Sequence, residues 1–558
     1  MTALDIDAIH ELPLQHRVLG PILRARADRD PERVYIRFGA SHWTFKQTDD
    51  IVRDAARGFM GLGLSKGERV GLFMPNHPGF IFAWYATNLA GGVTVPINPS
   101  FTASLLQYIL EDSDVRGLVT TAALLPVVAA LSAERREQLR FVVLVDEVDS
   151  AVDACIPSVL AFAELIKSGK ALGGPSEVPL DFTDVHSIMY TSGTTGPSKG
   201  AIVPNGHYFG SSCTFLRAVN LTRDDVLYTP LPLFHGLASR LGALPALMVG
   251  AEYVLAPHFS VTRFWQDVTE CKASVAHTIF TLPAMLKGRP PGPYDKAHRL
   301  RAMYNGNYDQ EFEVRFNVRV CEAYGLTEVG LTHYTRFAQE RRPGSCGKTH
   351  EDWEARVVDS QGLEVQVNQI GEIVVRPRLP SIMMNGYVNK SDETVRVSRD
   401  LWFHTGDFGR CDSDGFFYFI SRHKDRIRRR GENVSPMEVE AILCRHPDIA
   451  DCAAIGFPAR EGEDDIRVVL VAKTDQPPSP HAVMDWLAGR MPNFMMPRYI
   501  EFALSLPRNP VGKVEKYKLL DAGLAHDVWD RETEGYVIKR DAVPQPLTPM
   551  DPTSKENQ

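Results

Sequence analysis

At 558 residues the chain is too long for one compact core, so two or more domains are expected. Its 44% hydrophobic and 23% charged residues are those of an ordinary globular protein, and a formal net charge of −8 argues against general nucleic-acid binding, which calls for a basic excess. Eight scattered cysteines, with no Cys-x-x-Cys pair and no His/Cys metal spacing, read as reduced thiols in a cytoplasmic setting.

The first residues, Met1-Thr-Ala-Leu-Asp-Ile-Asp7, lack a basic stretch followed by an apolar run, so no secretory signal is read there. Val70–Leu110 carries no Asp, Glu, Lys or Arg, as a membrane span would, yet Pro75, Pro78, Pro96 and Pro99 with Gly79, Gly91 and Gly92 cut it into pieces shorter than a bilayer demands. The pattern predicts a strand at Val70–Met74, a helix through Ala90 and a strand at Gly92–Ile97, buried in α/β layers, and no transmembrane segment. From about Arg33 to Arg319 short apolar runs alternate with helical stretches, the rhythm of βα units around largely parallel sheets. Between Trp353 and Tyr387 short strands separated by turns, Glu354–Val358 and Glu372–Arg376, predict an antiparallel subdomain. From Phe416 a smaller α+β unit follows: a strand at Phe416–Ser421, a helix at Ser435–His446 opened by Ser435-Pro436 with Glu438 in its first turn, and strands at Ile449–Phe457 and Ile466–Lys473. The fold class expected is α/β, with a large N-terminal domain (1–422), a small C-terminal domain (423–530) and a polar tail (531–558) whose proline-rich end from Pro544 reads as disordered.

The motif richest in chemistry is Tyr190-Thr-Ser-Gly-Thr-Thr-Gly-Pro-Ser-Lys-Gly200, delivered by a predicted strand at Val185–Tyr190. Gly193, Gly196 and Gly200 let backbone N–H groups converge on anionic oxygens where a Cβ would obstruct. Thr191, Ser192, Thr194, Thr195 and Ser198 add hydroxyls, and Lys199 adds charge. Such a loop wraps a nucleotide triphosphate. It is not a Walker A loop, because Ser198 stands before the lysine and Gly200 after it. Alone, the same residues would also suit a polar surface linker.

Further motifs follow in order. In Ala323-Tyr-Gly-Leu-Thr-Glu328 a glycine beside an aromatic permits stacking of a flat base, and Thr327 and Glu328 offer the hard oxygens that Mg²⁺ prefers. Trp402-Phe-His-Thr-Gly-Asp407 ends in a carboxylate suited to accepting a pair of ribose hydroxyls. Ser421-Arg-His-Lys-Asp-Arg-Ile427 and Leu506-Pro-Arg-Asn-Pro-Val-Gly-Lys513 complete the series. Each alone is common solvated surface; their order carries the reading.

Together these segments, over about residues 30–525, resemble the adenylate-forming superfamily of acyl-CoA synthetases, peptide adenylation domains and luciferases. The chain looks most like its crotonobetaine/carnitine-CoA ligase group, through Phe264-Trp265, Tyr294–Arg301 and Phe316–Arg319. The resemblance implies an AMP-forming acyl-CoA synthetase: a carboxylate and ATP give an acyl-adenylate and pyrophosphate, and the thiol of coenzyme A then displaces AMP. It implies that Thr191, Ser192, Gly193, Thr194, Thr195, Gly196 and Lys199 hold the β- and γ-phosphates, with Thr194 also near the metal. Tyr324 would stack on adenine, Thr327 would meet the α-phosphate, and Glu328 would hold Mg²⁺. Asp407 and Arg422 would bind the ribose. Lys513 would bridge the substrate carboxylate and the α-phosphate, where a cation between two reacting anions lowers repulsion. His235, in Leu231-Pro-Leu-Phe-His-Gly236, matches the position between acyl pocket and CoA tunnel. The small domain would turn about a hinge at Lys424 and present Gly431 for the second step, with Arg426, Arg428, Arg429 and Arg430 meeting CoA phosphates; a solvated strand edge is the plainer alternative for that cluster. Where relatives carry Gly-Gly-Ala-Pro along adenine, this chain reads Tyr304-Asn-Gly-Asn-Tyr308, with Gly306 and Asn307 at that place.

No aspartate stands in Leu231–Leu244, where amino-acid-activating relatives place one, so a simple carboxylic acid is the expected substrate. Arg240, in the apolar predicted helix Leu237–Leu244, would meet a polar or second carboxylate end of the acid; the alternative is an arginine at the domain surface. Loading of a carrier protein instead of CoA, and a nucleotide-binding relative without catalysis, are the competing readings. The expected partners are the acid, ATP and CoA, no nucleic acid, and a second copy in a homodimer.

Overall fold

The computed structural model describes residues 9–146, 158–191, 198–279, 282–305, 308–422, 427–429, 432–434, 436–458, 464–488, 490–491, 495–508 and 514–536. The chain divides into two compact units, Met1–Gln369 with Ile373–Thr405 and Arg410–Tyr418, and Ile370–Glu372 with Gly406–Gly409 and Phe419–Gln558.

In the first unit, β1 (Val34–Phe38) and β2 (Ser41–Thr44) form a hairpin. They are followed by β3 (Arg69–Phe73), β4 (Val93–Ile97), β5 (Val115–Thr120), β6 (Phe141–Leu144), β7 (Val159–Ala161), β8 (Val185–Thr191) and β9 (Lys199–Pro204). Among the described residues β3 to β9 make a seven-stranded sheet of order β7-β6-β5-β3-β4-β8-β9, parallel except for the antiparallel β8–β9 edge. A second sheet takes β10 (Val226–Thr229), β11 (Glu252–Leu255), β12 (Val275–His277), β13 (Ala302–Asn305), β14 (Arg319–Leu326), β15 (Gly330–Tyr334) and β16 (Lys348–Thr349). Its order is β16-β15-β14-β13-β12-β10-β11-β1-β2, with a parallel centre from β1 to β14 and antiparallel rims. Strands covered on both faces need continuous apolar runs, which is why β6 reads Phe-Val-Val-Leu with all four residues buried.

The charge-free stretch resolves as anticipated into β3, a helix at Pro78–Leu89 and β4. All twelve residues of that helix are buried, so it carries no polar face. His77 caps it by accepting from the Gly79 N–H at 3.0 Å, and Pro78 supplies the preset φ of a first turn. The amphipathic helix Phe45–Gly61 is opened by a reciprocal Thr44/Gln47 capping box, a device that contributes about 1 kcal/mol.

Four further strands, β17 (Trp353–Val358), β18 (Gly371–Pro377), β19 (Phe403–Cys411) and β20 (Phe417–Arg422), form a sheet in that order. Beyond them the second unit has a short pair, β21 (Ile427–Arg429) with β22 (Glu432–Val434), running antiparallel. It also has a sheet of order β23 (Ile449–Pro458), β24 (Asp464–Ala472), β25 (Tyr499–Phe502) and β26 (Trp529–Asp530). Helices Pro436–Leu443 and Pro480–Leu487 place Val439, Leu443, Val483, Met484 and Leu487 in one core with Ile449, Ile466, Val468 and Ile500. Among the described residues no helix is long and apolar enough to cross a membrane.

Candidate active site

The 190–200 loop is held at both ends. Thr191 closes β8, Lys199 opens β9, and the two residues pair across the antiparallel edge. The Lys199 ammonium pairs with the carboxylate of Glu393 and lies over the Tyr387 ring, 5.4 Å from its centroid. Tyr387 is brought there by backbone bonds on either side: the Ile202 N–H donates to Gly386 O at 2.9 Å, and the Val388 N–H to Gly200 O at 2.9 Å. Hydrogen bonds from Arg396 and then Lys199 hold the Glu393 carboxyl at about 2, so it stays ionised as their counter-charge. The Tyr387 hydroxyl in turn donates to Glu328 Oε1 at 2.8 Å.

Glu328 sits at a hairpin tip. β14 and β15 pair as far as Leu326 and Gly330, leaving residues 327–329 as the turn. A Cβ on Gly325 would fall 1.9 Å from the Gly330 carbonyl oxygen. One on Gly330, which has a φ of +70°, would fall 2.3 Å from Ser211 Oγ. Only glycine fits either place. The tip is pinned by Met384 N–H donating to Glu328 O at 2.8 Å and by His207 Nε2 bonding Thr327 O at 2.8 Å. Tyr324, buried on β14, meets His333 edge-on with ring centroids 5.5 Å apart. Two residues earlier, Glu322 is 1% exposed and neither carboxylate oxygen has a hydrogen-bond partner among the described residues. Burial pushes its carboxyl up to about 7.

Leu231–Leu244 forms the other side. Asn76 fixes its start, donating to Leu231 O and Ala256 O, both at 2.9 Å, and accepting from the Leu233 N–H at 2.8 Å. His235 is exposed, and its Nδ1 accepts the Leu237 N–H at 3.3 Å. The expected helix here is a π-turn over Ser239–Ala243 that passes into an α-helix at Leu244–Val249. The i−5 bonds Leu241 N–H to Gly236 O and Ala243 N–H to Ala238 O, both 2.9 Å, create it. Arg240 lies on that turn and is only 6% exposed, which overturns the surface alternative. Its Nη1 is 3.4 Å from His207 Nε2. Burial, then the neighbouring Arg240 charge, depress His207 to about 3, so the ring is neutral with a single proton. That proton is needed on Nε2 to bond the Thr327 carbonyl, so Nε2 has no lone pair to offer Arg240.

The structure therefore gathers Thr191, Lys199, Tyr324, Thr327, Glu328, His235 and Arg240 in the first unit. Asp407 is buried on β19, while Arg422 and Arg429 end β20 and β21. Ser192, Gly193, Thr194, Thr195, Gly196, Gly306, Asn307, Lys424, Arg426, Arg430, Gly431 and Lys513 lie outside the described residues. Sequence reading missed Tyr387, Glu393, His207 and Asn76. Tyr387 closes Met-Met-Asn-Gly-Tyr, whose glycine after an antiparallel segment was an available signal; the others are lone polar residues with none.

Comparison with known proteins accords with this arrangement. The model for the AMP-binding enzyme family matches residues 23–388, and that for the AMP-binding enzyme C-terminal domain matches 438–513. The crotonobetaine/carnitine–CoA ligase of Proteus mirabilis (strain HI4320) is 32% identical over 489 residues, 86% of this chain and 93% of the relative. That of Escherichia coli O8 (strain IAI1) is 31% identical over 493 residues, again 86% and 93%. Among solved structures, the anthranilate CoA ligase AuaEII in complex with anthranoyl-AMP superposes with a TM-score of 0.82 at 23% identity, covering 93% of this chain and 99% of that one. ATP-bound MatB from Rhodopseudomonas palustris gives 0.78 at 24%, covering 90% and 99%. With Lys199 linked through Tyr387 to Glu328 and both family models matched, the chain belongs to the AMP-binding enzymes and is an AMP-forming acyl-CoA synthetase.

Proposed function

We propose that Lys199, Thr327, Glu328 and Lys513 carry the adenylation step. In it a carboxylate oxygen of a small carboxylic acid attacks the α-phosphorus of ATP, the α–β phosphoanhydride bond breaks and pyrophosphate leaves with its electron pair. The coenzyme A sulfur then attacks the acyl carbon, the acyl–phosphate bond breaks, AMP leaves, and the thiol proton passes to solvent. The observation that carries this reading is the contact series Lys199, Glu393, Tyr387 and Glu328, which holds an ammonium and a carboxylate at one end of the loop. Preset charges cost no reorganisation as phosphate charge moves.

Glu328 is a partly buried carboxylate with one oxygen bonded by a phenol, a hard-oxygen donor of the kind Mg²⁺ takes, and Thr194 completes the reading of that site. The ion would neutralise phosphate charge when bound. Tyr324 is assigned to adenine, Asp407 and Arg422 to the ribose hydroxyls, and the loop residues Thr191 to Gly196 to the terminal phosphates. His235 is assigned to the passage between acid and thiol, Lys424 to the hinge, and Gly431, Arg429 and Arg430 to CoA. The protein is read as a cytoplasmic homodimer, which sedimentation of the purified chain tests.

Lys513→Ala tests the division of labour. Adenylate formation is expected to fall about 100- to 1,000-fold, while conversion of supplied acyl-adenylate and CoA to thioester persists. Equal loss in both halves contradicts the assignment.

A further inference from the structure

Other buried arginines of this chain have oxygen acceptors for their guanidinium groups, as Arg135, 2% exposed, has in Gln138 Oε1 and Val115 O although its Nε is left over. Arg26, 3% exposed, bonds Met248 O and the Asp30 carboxylate, and Arg467, also 3% exposed, forms a two-pronged pair with Glu501 and bonds Leu519 O. Arg240 is different. It is buried too, yet among the described residues it has no carboxylate within ion-pair distance and its Nε has no hydrogen-bond partner. Its one guanidinium contact there is the His207 nitrogen, whose proton is already committed to Thr327 O.

A cation removed from water and left unpaired is costly, and truncation of a partner in such a pair is among the most damaging of changes. The local backbone is shaped around this cation. The π-turn inserts one extra residue at Arg240, a distortion that recurs at functional places. Gly236 leaves room beside it, since a Cβ there would stand 3.4 Å from Arg240 Nε and 3.3 Å from Met189 Cε. Ser212 Oγ anchors the turn on Arg240 O at 2.6 Å. Around the guanidinium stand Met189 of β8, Tyr304 of β13 and the Thr327–Glu328 tip, with the exposed His235 one turn back. In such open sheets ligands bind beyond the carboxyl ends of parallel strands.

Resting on the ligase reading above, we infer that Arg240 selects the acid: the substrate carries a second carboxylate, which the planar guanidinium grips while the first is activated. Guanidinium matches carboxylate with two parallel hydrogen bonds, and the same charge repels an acid ending in a quaternary ammonium.

The test compares C4 to C8 dicarboxylates with their mono-methyl esters and with a trimethylammonium acid, reading AMP release at fixed ATP and CoA for the wild type, Arg240→Met and Arg240→Lys. The wild type is expected to favour the dicarboxylate over its ester about 10-fold or more in kcat/KM. Arg240→Met should cut that ratio about 10- to 100-fold, mainly through KM, and Arg240→Lys should keep part of it. A wild type with no dicarboxylate preference overturns the inference whatever the variants do. So does an equal loss on diacids and esters, which would put the charge at the reacting carboxylate or the nucleotide. Turnover of esters or simple monoacids alone leaves the ligase standing and removes only the inference; no AMP from any acid removes both.

Discussion

Two sides of one centre differ in how their charges are satisfied. On the phosphate side Lys199 has Glu393, Glu393 has Arg396 as well, and Glu328 has the Tyr387 hydroxyl. On the acyl side Arg240 is buried with no carboxylate at ion-pair distance among the described residues, beside a histidine kept neutral. The contrast teaches where generality ends. On the roles proposed above, groups that serve every turnover are preset by the protein's own partners, whereas the group proposed to distinguish one acid from another is left for the acid to complete.

Breaking the paired side should give the largest effects. Glu328→Gln removes the charge while keeping the shape, and adenylate formation measured by pyrophosphate release should drop about 100-fold. Tyr387→Phe removes one hydrogen bond to that carboxylate and should cost about 10-fold in the same assay. If Tyr387→Phe matches Glu328→Gln, the phenol itself touches the reacting groups and the pairing account fails.

A structural prediction sharpens the same comparison. Gly330→Ala forces a side chain into 2.3 Å contact with Ser211 Oγ at a φ of +70°. It should destabilise the fold by about 2–4 kcal/mol and lower the melting temperature.

The acyl-side histidine belongs to a set of buried neutral rings: His186 at about 4, and His207, His277 and His333 at about 3, each depressed chiefly by burial. His186 shows how such rings are fixed: Nε2 accepts the Trp84 indole N–H at 2.8 Å, so Nδ1–H donates to Asn205 Oδ1 at 2.8 Å. Below the ordinary histidine value of about 6.5 the unfolded chain takes protons that these rings refuse. Stability is therefore fully present above about pH 6.5 and falls as pH drops toward 4, by about 1.4 kcal/mol per pH unit for each ring, as urea melts at several pH values would read. Glu322 has the opposite sign. Raised to about 7, it is protonated in the fold while the unfolded carboxyl is ionised, so its contribution is present below about pH 4.5 and lost as pH rises through 7. Glu322→Gln should stabilise the protein by about 1–3 kcal/mol at pH 8 and hardly at all at pH 5.

What was legible in the sequence was local. The 190–200 loop and the Tyr324–Glu328 turn announce themselves because glycine, hydroxyl and charge must stand within a few residues to bend a chain around phosphate. The alternation of β3, the Pro78–Leu89 helix and β4 was readable because prolines and glycines mark each end. The partners were not readable, because Lys199 finds Glu393 across 194 residues and His207 finds Thr327 across 120. No local pattern records such pairings. Nor did Ser239–Ala243 betray its π-turn, since apolar spacing is the same for an ordinary helix and the extra residue is absorbed by packing on Ser212 and Gly236. That is why the depth of Arg240 emerged only in three dimensions.

The most direct measurement is a single-turnover experiment in which purified enzyme, ATP, Mg²⁺ and a dicarboxylate are mixed first without CoA and then with it, following pyrophosphate, acyl-adenylate, AMP and thioester. The account predicts pyrophosphate stoichiometric with enzyme-held acyl-adenylate, then its conversion to equal AMP and acyl-CoA when CoA is added. Adenylate that persists in the presence of CoA, or pyrophosphate that never appears, would contradict it.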